Sequence, residues 1–379
     1  MDKMNVLIIV TAISLFISLF LAFFLLTVKT KHKTSNVLFA VFLIITAMDI
    51  SDPLLSLIIN RPSNLGMLKN TLAFLQIPVF YLYVLSVCYS DFKFKPKYII
   101  HLLPFLIANI ILIPRFYTVD IASKIDFIMN RQTRIELQFN HVLFHMQVLI
   151  YFVAIFMLLR KSKKLYLENN AGTSIHSYHW LFQFTVVLTV LYLIAILKNI
   201  FKFSDYPYIS EWIKIGILVL QLFIVCWYLF KALNNPDLFR NIDSKLKLVS
   251  DIILEEKENE PEVVNEKEYN EELLKLKNYM ISEKPFLNPS LTIQDISKDI
   301  EIPVRDLSLL INHQLGQHFF DFINTYRIES AMAILKDTEK NKVTVLEILY
   351  EVGFNSKSSF NTAFKKHTGI TPTEYRKAL

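Results

Sequence analysis

Seven long apolar stretches constrain the fold of this chain more than any other feature. At 1.5 Å per residue, a helix needs about 20 apolar residues to cross a hydrocarbon layer roughly 30 Å thick. The stretches that meet this length occupy residues 6–28, 36–59, 68–89, 97–114, 138–159, 179–200 and 212–233. Hydrophobic residues make up 53% of the 379 positions, more than a soluble core of this size can hide. We therefore predict a bundle of seven transmembrane helices over residues 1–234.

The charges of the predicted loops indicate how this bundle is oriented. Lys and Arg favour the cytoplasmic side of a membrane. They collect in loops one, three and five, as Lys29, Lys31, Lys33, Lys93, Lys95, Lys97, Arg160, Lys161, Lys163 and Lys164. The longer fourth loop, residues 115–137, contains three acidic residues beside its four bases. We expect a multi-pass protein of the bacterial cytoplasmic (inner) membrane, with its N-terminus outside and its C-terminus in the cytoplasm.

Net charge gives no evidence of a nucleic-acid partner. Residues 1–240 carry 22 Lys and Arg against 11 Asp and Glu, whereas residues 241–379 carry 18 against 23. The positive balance of the chain therefore belongs to the predicted membrane part. Any argument for DNA binding must rest on local charge and on motifs.

Residues 235–270 are predicted to be a linker. Apolar residues in this segment recur with spacings of 3, 4, 3 and 4, at Phe239, Ile242, Leu246, Val249 and Ile253. This spacing is typical of a dimeric coiled coil, although two heptads are fewer than a firm assignment needs. A helix lying against the membrane or the next domain fits equally well. Residues 255–272 then carry nine glutamates around Pro261, which indicates a solvated acidic segment.

Residues 271–379 show two helix-turn-helix patterns in tandem. The first runs from Leu291 to Asn312 and the second from Val345 to Lys366. Thr292 with Asp295 predicts the start of a supporting helix, and Pro303 suits the first turn of the next one. Gly353 lies in the second turn, where a positive φ is commonly needed, Asn355 or Ser356 caps the following helix, and Gly369 ends it. One long apolar helix is predicted between the patterns, over residues 318–336.

This C-terminal part resembles the DNA-binding domain of AraC/XylS-type transcription regulators. Three stretches carry the resemblance: Phe319 to Ile328, Ile348 to Ser356, and Ser359 to Arg376 with its Thr368-Gly369 and Thr371-Pro372 pairs. The resemblance covers residues 273–379 and implies two helix-turn-helix subdomains joined by a rigid helix. Each subdomain would place a recognition helix in the major groove. The common plan of the family has a soluble domain where this chain has its apolar stretches.

The predicted recognition helices have one apolar and one polar face. In the first helix, the residues expected to face outward are Arg305, Ser308, Leu309 and Asn312. In the second helix, they are Lys357, Ser358, Asn361, Thr362, Lys365 and Lys366. Arg305 has the chemistry to read guanine and Asn312 to read adenine, while Lys365 and Lys366 suit phosphate. The family often has Arg or Gln at the position of Thr362, a departure that weakens the expectation of a base contact there.

Four ionisable residues within the apolar stretches form a candidate sensing site. Asp49 and Asp52 fall in the second predicted span, and His141 and His145 lie four residues apart in the fifth. Such residues usually face a bundle interior or water, and two histidines on one helical face can sense protons or bind a metal. The alternative is that these residues lie at the membrane interface and are satisfied by water. This alternative is favoured, and no metal ion is expected.

The sequence points away from catalysis. Neither GxGxxG nor GxxxxGK[ST] occurs, and no catalytic constellation was found. The sequence therefore predicts an all-α chain that is not an enzyme: a membrane-integral regulator of transcription, without a cofactor, that couples a membrane signal to gene expression. The expected partners are double-stranded DNA, the lipid bilayer, a second copy of the chain, RNA polymerase, and an unidentified small ligand or membrane partner. The alternative is a transporter or membrane enzyme with an autoregulatory DNA-binding domain.

Overall fold

The computed structural model describes most of the chain as helix. It describes residues 3–28, 33–58, 61–89, 91–171, 175–202, 206–234, 266–340 and 342–379. The chain forms two compact units, the first being Met1–Leu159 with His179–Asn241 and the second Arg160–Tyr178 with Ile242–Leu379. In the described ranges, one isolated antiparallel bridge joins Asn170 to Thr292, and the regular structure is otherwise helical. The all-α prediction is therefore confirmed.

Ten helices begin in the part of residues 3–234 that the structure describes. They are α1 (Lys3–Thr27), α2 (Lys33–Ile50), α3 (Asp52–Leu55), α4 (Asn64–Thr71), α5 (Ala73–Cys88), α6 (Leu103–Leu112), α7 (Ile121–Met129), α8 (Ile135–Asn169), α9 (Ile175–Lys202) and α10 (Pro207–Asn234). A 3₁₀ segment, Pro96–Leu102, leads into α6, and a π-helical turn, Ile113–Tyr117, follows it. From Arg160 onward, α8 belongs to the second unit.

Seven of these helices or helix runs are long and apolar enough to cross a membrane. They are Asn5–Thr27, Lys33–Ile50, Asn64–Cys88, Pro96–Tyr117, Ile135–Asn169, Tyr178–Phe201 and Tyr208–Tyr228. The predicted number and order of long apolar helices are confirmed, but one boundary was wrong. The second helix ends at Ile50 rather than at residue 59, because Pro53 cannot continue its hydrogen-bonding ladder. The predicted fifth span, residues 138–159, lies within α8, which continues to Asn169.

Aromatic side chains fill the interior of the first unit. Helix α1 packs against α2 and α10, and α2 packs against α5. Phe39 of α2 stacks on Tyr228 of α10 with ring centroids 4.0 Å apart, and the hydroxyls of Tyr83 and Tyr228 lie 3.3 Å apart. Phe184 of α9 contacts the same group edge-on. This cluster joins four helices through large rings, which bury more apolar area than aliphatic side chains.

Seven further helices lie within the described residues 266–379 of the second unit. They are α11 (Glu266–Ser282), α12 (Ile293–Ile300), α13 (Val304–Ser308), α14 (Phe319–Lys336), α15 (Val345–Glu351), α16 (Lys357–Thr368) and α17 (Pro372–Lys377). A π-helical turn, Leu309–Gln314, continues α13. The candidate coiled-coil residues Phe239, Ile242, Leu246, Val249 and Ile253 lie outside the described residues.

Helix α14 contributes to two separate hydrophobic cores. Its first half supplies Phe319, Phe322 and Ile323 to a core formed with α11, α12 and α13. Its second half supplies Ile328, Ala331 and Leu335 to a core formed with α15 and α16. The two cores define two helix-turn-helix subdomains, and α14 is the long helix that joins them, as the sequence predicted.

Candidate nucleic-acid interface

The first helix-turn-helix subdomain is built on a capped supporting helix. The Thr292 hydroxyl accepts a hydrogen bond from the Asp295 amide at 3.3 Å, and the Asp295 carboxylate accepts one from the Thr292 amide at 2.8 Å. This capping box satisfies amides that a helix start leaves unpaired, as predicted. The helix ends at Glu301, whose φ of 53° turns the chain toward the next helix. Pro303 precedes α13 as its N-cap, one residue before the predicted position.

The first recognition helix, α13 with its π-helical turn, exposes fewer of the predicted residues than expected. Arg305 is exposed, and Leu309 and Asn312 are half-buried. Ser308 is only 3% exposed, so the expectation that it faces outward was wrong. Ser308 is buried like its neighbour Leu307, and its hydroxyl oxygen accepts a hydrogen bond from Asn312 Nδ2 at 3.1 Å. The exposed face is therefore centred on Arg305.

Asn312 is a structural link as well as a candidate base reader. Its Nδ2 atom donates to the carbonyl oxygens of Ser308 and Glu168, both at 3.1 Å. Its Oδ1 atom accepts from the Phe319 amide at 2.9 Å and so holds the start of α14. A side-chain amide has two donor hydrogens, and both have partners here. An adenine contact by Asn312 would require one of these bonds to open.

The second subdomain begins with another capping box. Thr344 and Glu347 exchange hydrogen bonds, and Thr371 and Glu374 repeat the arrangement at α17. Bonds from the Thr344 amide and hydroxyl hold the pKa of Glu347 below its ordinary value of 4.5. The equivalent bonds from Thr371 lower the pKa of Glu374. Both carboxylates therefore remain charged in mildly acidic solution.

The turn of the second subdomain requires glycine. Gly353 has a φ of 89°, and a Cβ atom there would lie 2.5 Å from the carbonyl oxygen of Phe286. Ser356 then caps α16, its hydroxyl accepting from the Ser359 amide at 3.2 Å. Gly369 ends α16 with a φ of 83°. These positions confirm the predicted turn, cap and stop, with Ser356 rather than Asn355 as the cap.

Helix α16 presents a basic outer face. Phe360 and Phe364 are fully buried in the second core, as predicted. The predicted outward residues that are exposed are Lys357, Ser358, Thr362, Lys365 and Lys366, while Asn361 is half-buried. Lys366 also pairs with Asp321 of α14, Nζ to Oδ1, at 2.7 Å. An exposed pair of this kind is weak enough for Lys366 to exchange Asp321 for a phosphate.

Arg327 organises the domain, although the sequence singled it out only as part of a family motif. It is fully buried where α14 passes from one core to the other. The guanidinium donates to the carbonyl oxygens of Phe286, Asn288 and Ala171 at 2.7–2.8 Å and lies 5.5 Å from the Phe354 ring centroid. Burial lowers the pKa of Arg327 to about 10. The side chain thus remains a cation that ties both subdomains to one loop.

The structure places the predicted sensing residues on three helices: Asp49 on α2, Asp52 on α3, and His141 with His145 on α8. Asp52 pairs with Lys69, while His145 accepts or donates a bond to Asn199 of α9 at 3.1 Å. The rings of His141 and His145 stack with centroids 5.9 Å apart. Lys198 of α9 interacts electrostatically with both Asp49 and His145. Among the described residues, no group of His, Cys, Asp and Glu is arranged to hold a metal ion.

The C-terminal domain is similar to parts of proteins named as transcription regulators. A family model described as a helix-turn-helix domain matches residues 296–378. An uncharacterized transcriptional regulatory protein of Bacillus subtilis is 35% identical over 92 residues, 24% of this chain and 24% of that protein. An HTH-type transcriptional activator of Mannheimia succiniciproducens is 34% identical over 83 residues, 22% of this chain and 30% of the activator. The melibiose operon regulatory protein of Escherichia coli is 30% identical over 88 residues, 23% of this chain and 28% of that regulator.

These matches cover only the C-terminal part of the chain. The chain spans 24–30% of the length of these relatives, so the likeness concerns one domain. No solved structure matches the chain. The family match and the paired subdomains nevertheless agree on the same residues, and residues 296–378 are a helix-turn-helix domain of the AraC/XylS type.

Proposed function

We propose that the chain is a membrane-integral transcription regulator that binds specific sequences of double-stranded DNA and couples a signal at the membrane to gene expression. One observation carries the proposal: a single chain combines seven helices apolar enough to span a membrane with two helix-turn-helix subdomains. The relatives are named as regulators, which supports regulation over catalysis.

The chemistry of the exposed faces supports sequence-specific binding. Arg305 projects from the first recognition helix, and an arginine at this position can donate two bonds to guanine in the major groove. Lys357 and Lys365 project from the second, where an ammonium suits phosphate or guanine. Phosphate contacts supply affinity and register, and base contacts supply specificity.

Loop charge supports a cytoplasmic location for the DNA-binding domain. With odd loops inside and seven spans, the chain after α10 emerges in the cytoplasm, where the chromosome is. We further propose that the active form is a dimer, because a second tethered domain raises the effective concentration of the first on adjacent half-sites. RNA polymerase and a small ligand or membrane partner complete the proposed set of partners.

Mapping of chromosomal DNA bound by the full chain tests this function. We expect discrete peaks for the natural chain, and their loss from the double variant Arg305→Ala/Lys365→Ala. The matched control is Lys298→Ala, because Lys298 is exposed on the supporting helix α12 and outside both recognition helices. Peaks that survive the double variant, or no peaks from a membrane-inserted natural chain, would refute the proposal. Binding restricted to the chain's own promoter, together with solute uptake, would support the transporter alternative.

A further inference from the structure

A short segment at the end of the fifth span is built into the DNA-binding domain. This segment, Glu168–Ala171, is called the loop-five segment here and belongs to the second unit. Asn170 forms an antiparallel bridge with Thr292, and the Ala171 amide donates to the Leu291 carbonyl oxygen at 3.1 Å. The partner residues lead directly into α12, the supporting helix of the first subdomain.

Ala171 is part of the first hydrophobic core. Only 1% of its surface is exposed, and it lies in the same buried cluster as Leu291, Ile293 and Phe319. A methyl group in this position excludes water from the bonds around it. A loop that merely connected two spans would run over the surface instead.

Two polar side chains of the DNA-binding domain bind the backbone of the loop-five segment. Arg327 donates from Nη1 to the Ala171 carbonyl oxygen at 2.7 Å. Asn312 donates from Nδ2 to the Glu168 carbonyl oxygen at 3.1 Å. Backbone groups removed from water need such partners, and these two come from α14 and the first recognition helix. Each end of the segment is thus fixed by a residue that also organises the domain.

We infer that the loop-five segment is a docking element whose partner is the first helix-turn-helix subdomain of the same chain. It gives the DNA-binding domain a second attachment to the spans, through α8, besides the linker after α10. Displacement of α8 along its axis would then act directly on Asn312 of the first recognition helix and on Arg327 of α14. The docking follows from the contacts alone, whereas its role in signalling rests on the proposed function.

Disulfide trapping in the full chain tests the docking. Directly opposed residues of an antiparallel pair have Cα atoms about 4.5–5.5 Å apart, within the range that a disulfide spans. The test chain carries Asn170→Cys and Thr292→Cys, with the natural Cys88 and Cys226 replaced by Ser and a protease site inserted after Pro261. After oxidation in membranes and cleavage of the linker, the C-terminal fragment should stay joined to the spans and separate on reduction.

The control pairs Asn170→Cys with Glu339→Cys, an exposed position in the second subdomain. Both pairs share the same tether, so docking should give the first pair about tenfold more trapped product through its higher effective concentration. Equal trapping of the two pairs would overturn the inference. Carbonate extraction of the same membranes separates the outcomes: a chain that is integral but untrapped refutes the docking alone, and a chain that is extracted refutes the proposed function.

A second measurement needs no engineered disulfide. Hydrogen–deuterium exchange of the full chain should show slow exchange at the Ala171 amide, because its bond to Leu291 is buried with the core. Ala171→Arg should speed that exchange at least tenfold, since the long cation cannot occupy the core. Ala333→Arg is the matched control, because Ala333 is exposed on α14. Fast exchange at Ala171 in the natural chain would show that the segment does not dock.

Discussion

The buried Arg327 donates a hydrogen bond from Nη1 to the carbonyl oxygen of Ala171, and the two atoms are 2.7 Å apart. The same guanidinium binds the carbonyl oxygens of Phe286 and Asn288, which lie between α11 and α12. Because Gly353 approaches Phe286 closely, the turn of the second subdomain meets the same loop. One buried cation on α14 therefore binds both the first subdomain and the loop-five segment.

Loss of this cation should destabilise the DNA-binding domain. We expect Arg327→Met to weaken it by about 2–4 kcal/mol, because a methionine of similar length leaves buried carbonyl oxygens without donors. Lys336→Met on the same helix is the control, since Lys336 is exposed. Hydrogen–deuterium exchange of α14 in the full chain measures the difference. Equal protection in the two variants would show that the three carbonyl bonds add nothing to stability.

Arg305 and Lys365 should contribute to DNA binding in different ways. We expect Arg305→Ala to cost about 1–3 kcal/mol at one base position of the bound sequence, because it removes bonds to a base edge. Lys365→Ala should weaken binding to all sequences alike and reduce the dependence of affinity on salt. Titrations of the full chain with specific and random duplexes distinguish the two effects. Equal losses on both duplexes for Arg305→Ala would contradict a role in reading bases.

The topology follows from loop charge and can be checked with reporter fusions. A reporter fused after Lys164 or after Leu233 should be active in the cytoplasm, because basic loops stay inside. A reporter fused near Asp126 should lie outside, since the fourth loop balances its bases with acids. A cytoplasmic signal near Asp126 would show that one predicted span does not cross.

The apolar seam of the linker provides a test of dimerisation. We expect Leu246→Asp with Val249→Asp to reduce promoter occupancy and abolish the response to signal, because charges at the seam prevent two helices from pairing. Membrane insertion should be unchanged. Val263→Asp with Val264→Asp is the matched control, because it adds the same two charges in the acidic segment outside the seam. Normal regulation by the seam variant would leave the loop-five segment as the coupling element.

The capping boxes predict an acid-sensitive DNA-binding domain. Glu347 and Glu374 have folded-state pKa values below the ordinary 4.5, so their contribution to stability is complete above pH 4.5. It is lost as the pH falls through the folded values, because a protonated carboxyl accepts less strongly from an amide. Hydrogen–deuterium exchange of α15 and α17 at pH 6 and below 4 should show this loss. Glu347→Gln should remove the dependence at α15 while leaving it at α17.

The seven long apolar helices and the paired subdomains were predictable because both depend on local patterns. Twenty apolar residues in a row have few alternatives to a membrane helix, and Thr292 with Asp295 or Ser356 before α16 determines where a helix starts through neighbouring atoms. The turn at Gly353 and the helix end at Gly369 were equally predictable, since few other residues tolerate their positive φ values. The basic outer face of α16 followed from the spacing of Phe360 and Phe364.

What the sequence alone determined is therefore the type and order of the elements, while tertiary packing decided which side chains remain available. Ser308 looked like a recognition residue by periodicity, but it is buried under Asn312. The roles of Arg327 and Ala171 depend on atoms brought together from 156 positions apart in the chain, which no local pattern encodes. Helix propensity acts over one or two turns, whereas a buried cation finds its carbonyl partners only after the cores have formed.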